Sequence, residues 1–491
     1  MRLVVVSNRV ALPQKGDKVA AGGLAVALRE ALSTREGLWF GWSGEVTETI
    51  GPVRLSQSGR VSYAVTDLTA EEWNAYYLGF SNRALWPNMH YRLGLTEFTR
   101  ADYAGYRAVN ARFADAFLPL LRADDLIWIH DYQLIPLAAE LRQRGVRNRI
   151  GYFHHIPWPP SEVFGALPAS IELMRTVADY DLVGMQTEID ARNVISGLVN
   201  LCGADATGNI IRLGGRSTVV KALPIGIDVA EFAKMARTPS RTSVRATEAF
   251  GDRKLVIGVD RLDYSKGIVQ RLEAFERFLL DNPDHRRHVE FLQIAPPSRS
   301  DVPEYAELDR QSDETAGRIN AALGDFDWTP IRVVKKAYAR KVLAGFYRRA
   351  EVGLVTPMRD GMNLVAKEYV AAQDPSDPGV LILSRFAGAS RQLKDALIVN
   401  PYDIQEMSEA LQAALTMPKD ERIRRFESLY ATIETSDIAW WTRSYLHLLA
   451  GVFNPHTGSA PTGAGSNVLS VATQPVRGAT NRDRNIAGAA A

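Results

Sequence analysis

The sequence predicts an α/β protein built from two Rossmann-like domains facing across a cleft. Three observations point there. Short runs rich in Val, Ile and aromatics alternate with helical patterns, as βαβ units require. The runs fall into two series separated by one connection. At 491 residues the chain is too long for a single core. The first series is Leu3 to Val6, Leu126 to His130, Ile150 to Phe153, Leu182 to Met185 and Thr218 to Ala222. The second is Leu255 to Val259, Val289 to Ile294, Ile331 to Val334, Val352 to Val355 and Val380 to Leu383, with amphipathic stretches such as Gly267 to Leu280 between them. Between the series, from Pro224 to Arg245, strand pattern lapses into a Gly-, Pro- and Ser-containing connection. The expected domains are therefore residues 1–228 and 229–437, followed by a Trp-containing helical segment over 438–453. Residues 454–491 are dominated by Gly, Ala, Ser, Thr, Pro and Asn, and such a tail is expected to be disordered.

Composition excludes several partners. With 58 Lys+Arg against 56 Asp+Glu, the charge balance gives no reason to expect a nucleic acid or a membrane surface. No apolar run approaches the roughly 20 residues a membrane helix needs. The lone Cys202 has no internal disulfide partner, which suits a reducing cytoplasm. A soluble cytoplasmic enzyme is the expectation.

The richest segment runs from Met358 to Tyr369. It follows the apolar stretch Glu351 to Thr356, so it should leave the carboxyl end of a buried strand, where open α/β sheets bind ligands. Gly361 would let the backbone come close to a ligand, and the amides of Met362, Asn363 and Leu364 at a helix start can point at an anion. Asp360 and Glu368 are eight residues apart, about 12 Å along a helix axis, so one could grip a sugar and the other a ribose. A nucleotide sugar would be held in this way. Arg261 and Lys266, in the loop after Leu255 to Val259, could both reach one diphosphate, or could instead pair with Asp260 and Asp263. Gly22 and Gly23 open the helix Leu24 to Leu32, although their distance from the first strand departs from a dinucleotide fingerprint, and no nicotinamide binding is expected.

Other candidates lie at strand ends and in loops. Ser7, Asn8 and Arg9 leave the first strand, and Asp131 leaves another. Tyr77 and Trp86 fall in a loop-like stretch where aromatic faces could stack on a sugar, or be core. His154 and His155 end a further strand. Adjacent side chains diverge and no third ligand is spaced for a metal, so hydrogen bonding to a sugar is the better role. Two segments, Asp179 to Val183 and Asp325 to Thr329, fit a phosphatase nucleophile pattern. Helical patterns precede both, where that nucleophile needs a strand.

Taken in order, Ser7 to Arg9, Gly22 and Gly23, Tyr77 to Trp86, His130 to Tyr132, His155 to Pro157, Arg261 to Lys266 and Arg359 to Glu368 resemble the trehalose-6-phosphate synthase family over about the first 455 positions. The resemblance implies a retaining glycosyltransferase of the GT-B architecture, whose terminal helix returns to the first domain. It implies transfer of glucose from UDP-glucose to the anomeric hydroxyl of glucose 6-phosphate, giving α,α-trehalose 6-phosphate and UDP. By that analogy Arg9, Tyr77, Trp86 and Arg299 meet the acceptor phosphate and Asp131 the acceptor sugar. Gly22, Gly23, Arg261 and Lys266 meet the donor diphosphate, with the amides of Asn363, Leu364 and Val365. His155 and Asp360 meet the donor glucose, and Glu368 the ribose. Arg261, Lys266, Asp360, His155 and Asp131 are the expected catalytic set, with no metal and no cofactor beyond the two substrates. A homo-oligomer is expected, with a separate phosphatase releasing trehalose. Open alternatives are another sugar acceptor on the same fold, a nucleotide-sugar epimerase, or a noncatalytic sugar-phosphate sensor.

Overall fold

In a computed structural model of the chain, residues 1–13, 28–29, 31–32, 36–298 and 303–451 are described. Gly22, Gly23, Arg299, most of the helix expected from Leu24 and the tail from residue 454 lie outside them. Among the described residues the strands form two sheets. The first contains β1 (Leu3–Arg9), β2 (Gly37–Val46), β3 (Arg54–Ser58), β4 (Val61–Leu68), β5 (Leu126–His130), β6 (Arg149–Phe153), β7 (Leu182–Met185), β8 (Asp205–Thr207), β9 (Ile210–Leu213) and β10 (Arg216–Ala222). The second contains β11 (Lys254–Val259), β12 (Val289–Ile294), β13 (Ile331–Val334), β14 (Val352–Val355), β15 (Val380–Ser384) and β16 (Leu397–Val399). This is the two-domain α/β architecture that the alternation of strand and helix patterns predicts.

Both sheets have the same winding. The second is entirely parallel, in the order β13-β12-β11-β14-β15-β16. The parallel part of the first runs β4-β2-β1-β5-β6-β7-β10, with antiparallel edges at β3 and at β9 and β8. In each, chain order reverses beside the first strand: between β1 and β5, and between β11 and β14. Such a reversal opens a crevice at the strands' carboxyl ends, the ligand site of doubly wound sheets. Leu3, Val4, Val5 and Val6 are buried on both faces of β1, as a central parallel strand demands.

The connection expected as irregular from Pro224 to Arg245 is helical for most of its length, in Val229–Arg237 and Arg241–Glu248. Asp228 caps the first of these by accepting from the Glu231 amide at 2.8 Å. The loop-like reading of Tyr77 to Trp86 is also overturned. Trp73–Leu85 is wound in wide π turns and continues into the helix Trp86–Met89. Its buried Tyr76, Phe80 and Ala84 recur every fourth residue and pack on the helix Arg100–Phe117, with Phe80 and Tyr106 ring centres 4.6 Å apart.

The final helix, Ile438–Gly451, returns to the first sheet. Tyr445 donates to the Tyr152 carbonyl at 3.0 Å and stacks on Trp128 with ring centres 4.3 Å apart. Gly151 makes room: a Cβ there would sit 2.3 Å from the Tyr445 hydroxyl. The two passages between the lobes also touch. A Cβ on Gly226 would lie 2.3 Å from the Ser436 carbonyl oxygen, and the Ile438 amide donates to Ile227 at 3.2 Å. Among the described residues no helix is long and apolar enough to cross a membrane.

Candidate active site

A cavity of about 410 Å³ opens between the two sheets. From the first lobe it is lined by His155, Gln186 and Ile225; from the second by Arg261, Lys266, Asp360, Asn363, Leu364, Val365 and Glu368, with Val259, Ile294, Pro296 and Tyr338 supplying an apolar end. Nearly all of these follow the carboxyl ends of parallel strands, and the cluster sits at the β11/β14 reversal.

The loop after β11 is rigidly held. Arg271 is wholly buried and reaches back to the Asp260 carboxylate at 2.7 Å, the Lys266 carbonyl at 2.6 Å and Gln293 at 3.1 Å. Asp263 accepts from the Ser265 amide at 2.9 Å and from the Tyr305 hydroxyl at 2.9 Å. Asp260 and Asp263 are thereby committed to holding the loop, and the alternative pairing with Arg261 and Lys266 is not what forms. Gly267, at φ 67°, turns the chain into the helix Ile268–Asp281 and lets the Thr356 carbonyl approach. The Met358 amide donates to the Ser265 carbonyl at 2.8 Å, joining this loop to the next.

That second loop brings the carboxylate to the cation. Lys266 Nζ is ion-paired with Asp360 Oδ2, and Asn363 Nδ2 donates to the same oxygen at 3.1 Å. Asn363 holds φ 70° at the cap of the helix Leu364–Ala372 and makes no side-chain cap, so the first amides of that helix remain open toward the cavity. Because the helix begins only at Leu364, half of the interval from Asp360 to Glu368 is turn, not helix. The two carboxylates share the cavity by virtue of that turn. Gly361 also seats the two lobes against each other: a Cβ there would lie 2.2 Å from the His155 carbonyl oxygen.

Burial sets the protonation states. It pushes the Glu368 carboxyl up to about 7, opposed by Arg340, whose Nε lies 3.7 Å away. It pushes His155 down to about 3, so the imidazole facing the cavity is neutral. His155 Nε2 and His130 Nδ1 share a hydrogen bond at 3.1 Å, and the His155 amide donates to Asp131 Oδ1 at 3.2 Å. His154 does not reach the cavity. It is buried against Trp158 with its Nδ1 2.8 Å from the Tyr152 hydroxyl, which removes it from sugar binding.

The residues expected on the acceptor side form a second group at the β1/β5 reversal. Arg9 lies over the Trp42 ring at 5.9 Å and Trp42 packs on Tyr77 at 5.9 Å. Asp131 adopts φ 75° just after β5, and the neighbouring Tyr132 packs on the buried Trp86 at 5.7 Å. None of Arg9, Tyr77, Trp86 or Asp131 lines the 410 Å³ cavity; Asp131 adjoins it through the His155 amide. Behind Trp86, His90 is driven down to about 4 by burial, and it feels the charges of Asp263, Lys266 and Asp360.

Sequence reasoning missed Gln186, Ile225, Tyr338 and Arg340 among the cavity residues, and Arg271 and Lys367 behind it. Arg271 had a legible signal, a cation on the apolar face of an amphipathic helix, and Lys367 another, a cation inside a short helix that is otherwise mostly apolar. Lys367 is fully buried and donates to the Ile225 carbonyl at 2.7 Å and to Gln392 at 2.8 Å. Gln392 in turn bonds Ser436 at 3.1 Å, so the Leu364–Ala372 helix is tied to both interlobe passages. Of the two phosphatase-like segments, Asp179 precedes β7 and pairs with Arg216 at 3.3 Å, whereas Asp325 is exposed and pairs with Arg287.

Known proteins share this arrangement. The trehalose-6-phosphate synthase of Sinorhizobium fredii is 52% identical over 453 residues, covering 91% of this chain and 97% of its own. The structure of an α,α-trehalose-phosphate synthase (UDP-forming) from Burkholderia xenovorans in complex with glucose 6-phosphate superposes with a TM-score of 0.87 at 46% identity, covering 91% of this chain and all (100%) of that one. An E. coli structure with UDP-2-fluoro glucose bound reaches a TM-score of 0.89 at 45% identity, covering 92% of this chain and 100% of that one. The family model for glycosyltransferase family 20 matches residues 2–451, the whole span that builds both sheets, the cavity between them and the returning helix. The chain belongs to glycosyltransferase family 20.

Proposed function

We propose that the protein transfers glucose from UDP-glucose to the anomeric hydroxyl of glucose 6-phosphate with retention of configuration, forming α,α-trehalose 6-phosphate and UDP without a metal. The observation that carries this reading is the convergence of Arg261, the Lys266–Asp360 pair, the open amides of the Leu364–Ala372 helix and Glu368 on one interlobe cavity. Relatives named trehalose-6-phosphate synthase, and the structures with glucose 6-phosphate and UDP-2-fluoro glucose bound, support the choice of substrates.

Cleaving the sugar–phosphate bond builds positive charge on the anomeric carbon and negative charge on the departing diphosphate. Arg261, Lys266 and the helix amides would stabilise that negative charge more in the transition state than in the ground state. Each charge-assisted hydrogen bond is worth about 1.5–3 kcal/mol. Asp360 would hold Lys266 in place and offer its second oxygen to the glucose hydroxyls. Neutral His155 would donate or accept a sugar hydrogen bond without adding charge beside the forming cation. The acceptor would enter along the β1/β5 reversal, its phosphate met by Arg9, Tyr77 and Trp86 with Arg299, its sugar by Asp131. Attack on the face from which UDP leaves, with the leaving phosphate oxygen taking the acceptor proton, gives retention without a covalent intermediate. The same reading places the enzyme in the cytoplasm as a homo-oligomer, with dephosphorylation left to another protein.

A donor panel of UDP-, GDP- and ADP-glucose with glucose 6-phosphate, followed by mass and by the anomeric coupling of the product, tests it. An α,α-linked disaccharide phosphate formed in the presence of a chelator is the expected result. Donor consumption without acceptor would mark an epimerase. Binding of both ligands without nucleotide release would mark a sensor.

A further inference from the structure

Arg340 belongs to none of the motifs above. It is the first residue of the helix Arg340–Arg349, where the helix dipole disfavours a cation. What holds it is tertiary: its guanidinium lies over the Phe232 ring at 5.2 Å, Nη1 is 3.7 Å from Glu231 and Nε is 3.7 Å from Glu368. Its Nε is buried and makes no hydrogen bond among the described residues. An arginine that paired with Glu368 as a fork would consume both carboxylate oxygens. At 3.7 Å the cation supports the negative charge and leaves those oxygens free, and both side chains line the same cavity.

We propose that Arg340 is a positioning residue that keeps Glu368 ionised and turned toward the cavity as the acceptor for the ribose hydroxyls of the nucleotide donor. The inference rests on the donor reading above. Glu368 needs such support because burial favours its neutral form, and a protonated carboxyl accepts hydrogen bonds poorly. The other titratable groups around it do not supply the charge. The Tyr347 hydroxyl, which senses Glu368, is itself held neutral by burial. Lys367 points away to Ile225 and Gln392. Across the cavity Lys266 is paired with Asp360, and Arg261 stands exposed at the opening. Glu231, a half-exposed carboxylate 3.7 Å from Nη1, adds no positive charge.

The test is calorimetric titration of UDP between about pH 6 and pH 9 into wild type, Arg340→Met, Arg340→Lys and Glu368→Gln. Titration of the UDP phosphate is common to all four and is read from Glu368→Gln. Relative to that baseline, wild-type affinity should fall as pH drops through about 7. In Arg340→Met the fall should move up by about one pH unit or more, the effect of losing one opposite charge within a few ångströms. UDP would then bind about fivefold more weakly at neutral pH and recover in alkali. Arg340→Lys, which keeps the charge, should hold the midpoint within about half a unit. With 2′,3′-dideoxyuridine diphosphate, wild type and Arg340→Met should bind alike. Equal weakening at every pH, or equal weakening toward the dideoxy nucleotide, would show that Arg340 only packs and overturns the inference while leaving the donor reading intact. Failure of wild type to bind UDP would sink the donor reading itself.

Discussion

The two walls of the interlobe cleft are built in contrasting ways. On the second lobe, Lys266 and Asn363 both bond Asp360, and their loops are fastened by Arg271, Asp263 and the Ser265 carbonyl. On the first lobe, Arg9 is exposed and rests on an aromatic ring, and Tyr77 is half-buried beside the same ring. Fixed donors aimed at developing charge cost no reorganisation when the bond breaks, which is where electrostatic catalysis gains most. A binding residue for an incoming phosphate has no such requirement. On the proposed reading, the Lys266–Asp360 part of the wall that would bear the chemistry is preorganised, whereas Arg9 and Tyr77, which would meet the acceptor, are held by ring packing.

The sharpest test is Lys266→Ala. Loss of one preorganised charge should lower kcat by about 10² to 10³ and leave the KM for glucose 6-phosphate nearly unchanged, measured by steady-state release of UDP. A variant that loses acceptor affinity with kcat intact would reverse the assignment of the two walls. Next in size is Gly361→Ala. Its Cβ would meet the His155 carbonyl at 2.2 Å, and backbone on both sides leaves nothing flexible to yield. A destabilisation of about 1–3 kcal/mol, seen in chemical denaturation, is expected from overpacking of this kind. If the substitution is silent, the lobes do not rest on each other there.

How far the sequence discloses these features depends on where their causes lie. Central strands such as β1, β11 and β14 are apolar on both faces over their buried length, so their residues announce burial directly. β2 does not, because its glycines read as turn residues. Gly41 is there for close approach: a Cβ would fall 2.1 Å from the Ser7 carbonyl oxygen of β1. The exposed edge strand β3 carries no apolar pattern at all. In the site, Asp360, Asn363 and Glu368 are legible because one turn and its helix carry them, and Arg261 and Lys266 because one loop does. Arg340 is invisible in sequence, since its partners Glu231 and Glu368 come from two other helices. Gly361 is legible as a position but not as a cause, because the atom it accommodates belongs to the opposite lobe.

On the acceptor wall, Arg9→Ala should raise the KM for glucose 6-phosphate by about tenfold to a hundredfold. That is the value of one charge-assisted hydrogen bond of roughly 1.5–3 kcal/mol, and kcat at saturating acceptor should change far less. Unsubstituted glucose as acceptor sharpens the comparison. Lacking the phosphate, it should be used with nearly the same efficiency by wild type and variant.

The last test sits where the two walls are joined. Lys367 connects the Leu364–Ala372 helix to the Ile225 carbonyl and, through Gln392, to Ser436 on the returning passage. Burial lowers its ammonium to about 7, so in the fold the side chain is a neutral amine at alkaline pH. The unfolded chain keeps that lysine protonated up to about 10.4. Between those values the unfolded state binds one proton more than the folded state, so this group makes stability rise with pH across that window; below about 7 both states are protonated and the dependence ends. Lys367→Met removes the titration. The melting temperature of wild type relative to Lys367→Met should therefore climb between about pH 7 and pH 10 and stay level below it. A difference that is flat throughout would mean that the amine is already charged where it bonds Ile225, and that the junction between the walls is ionic.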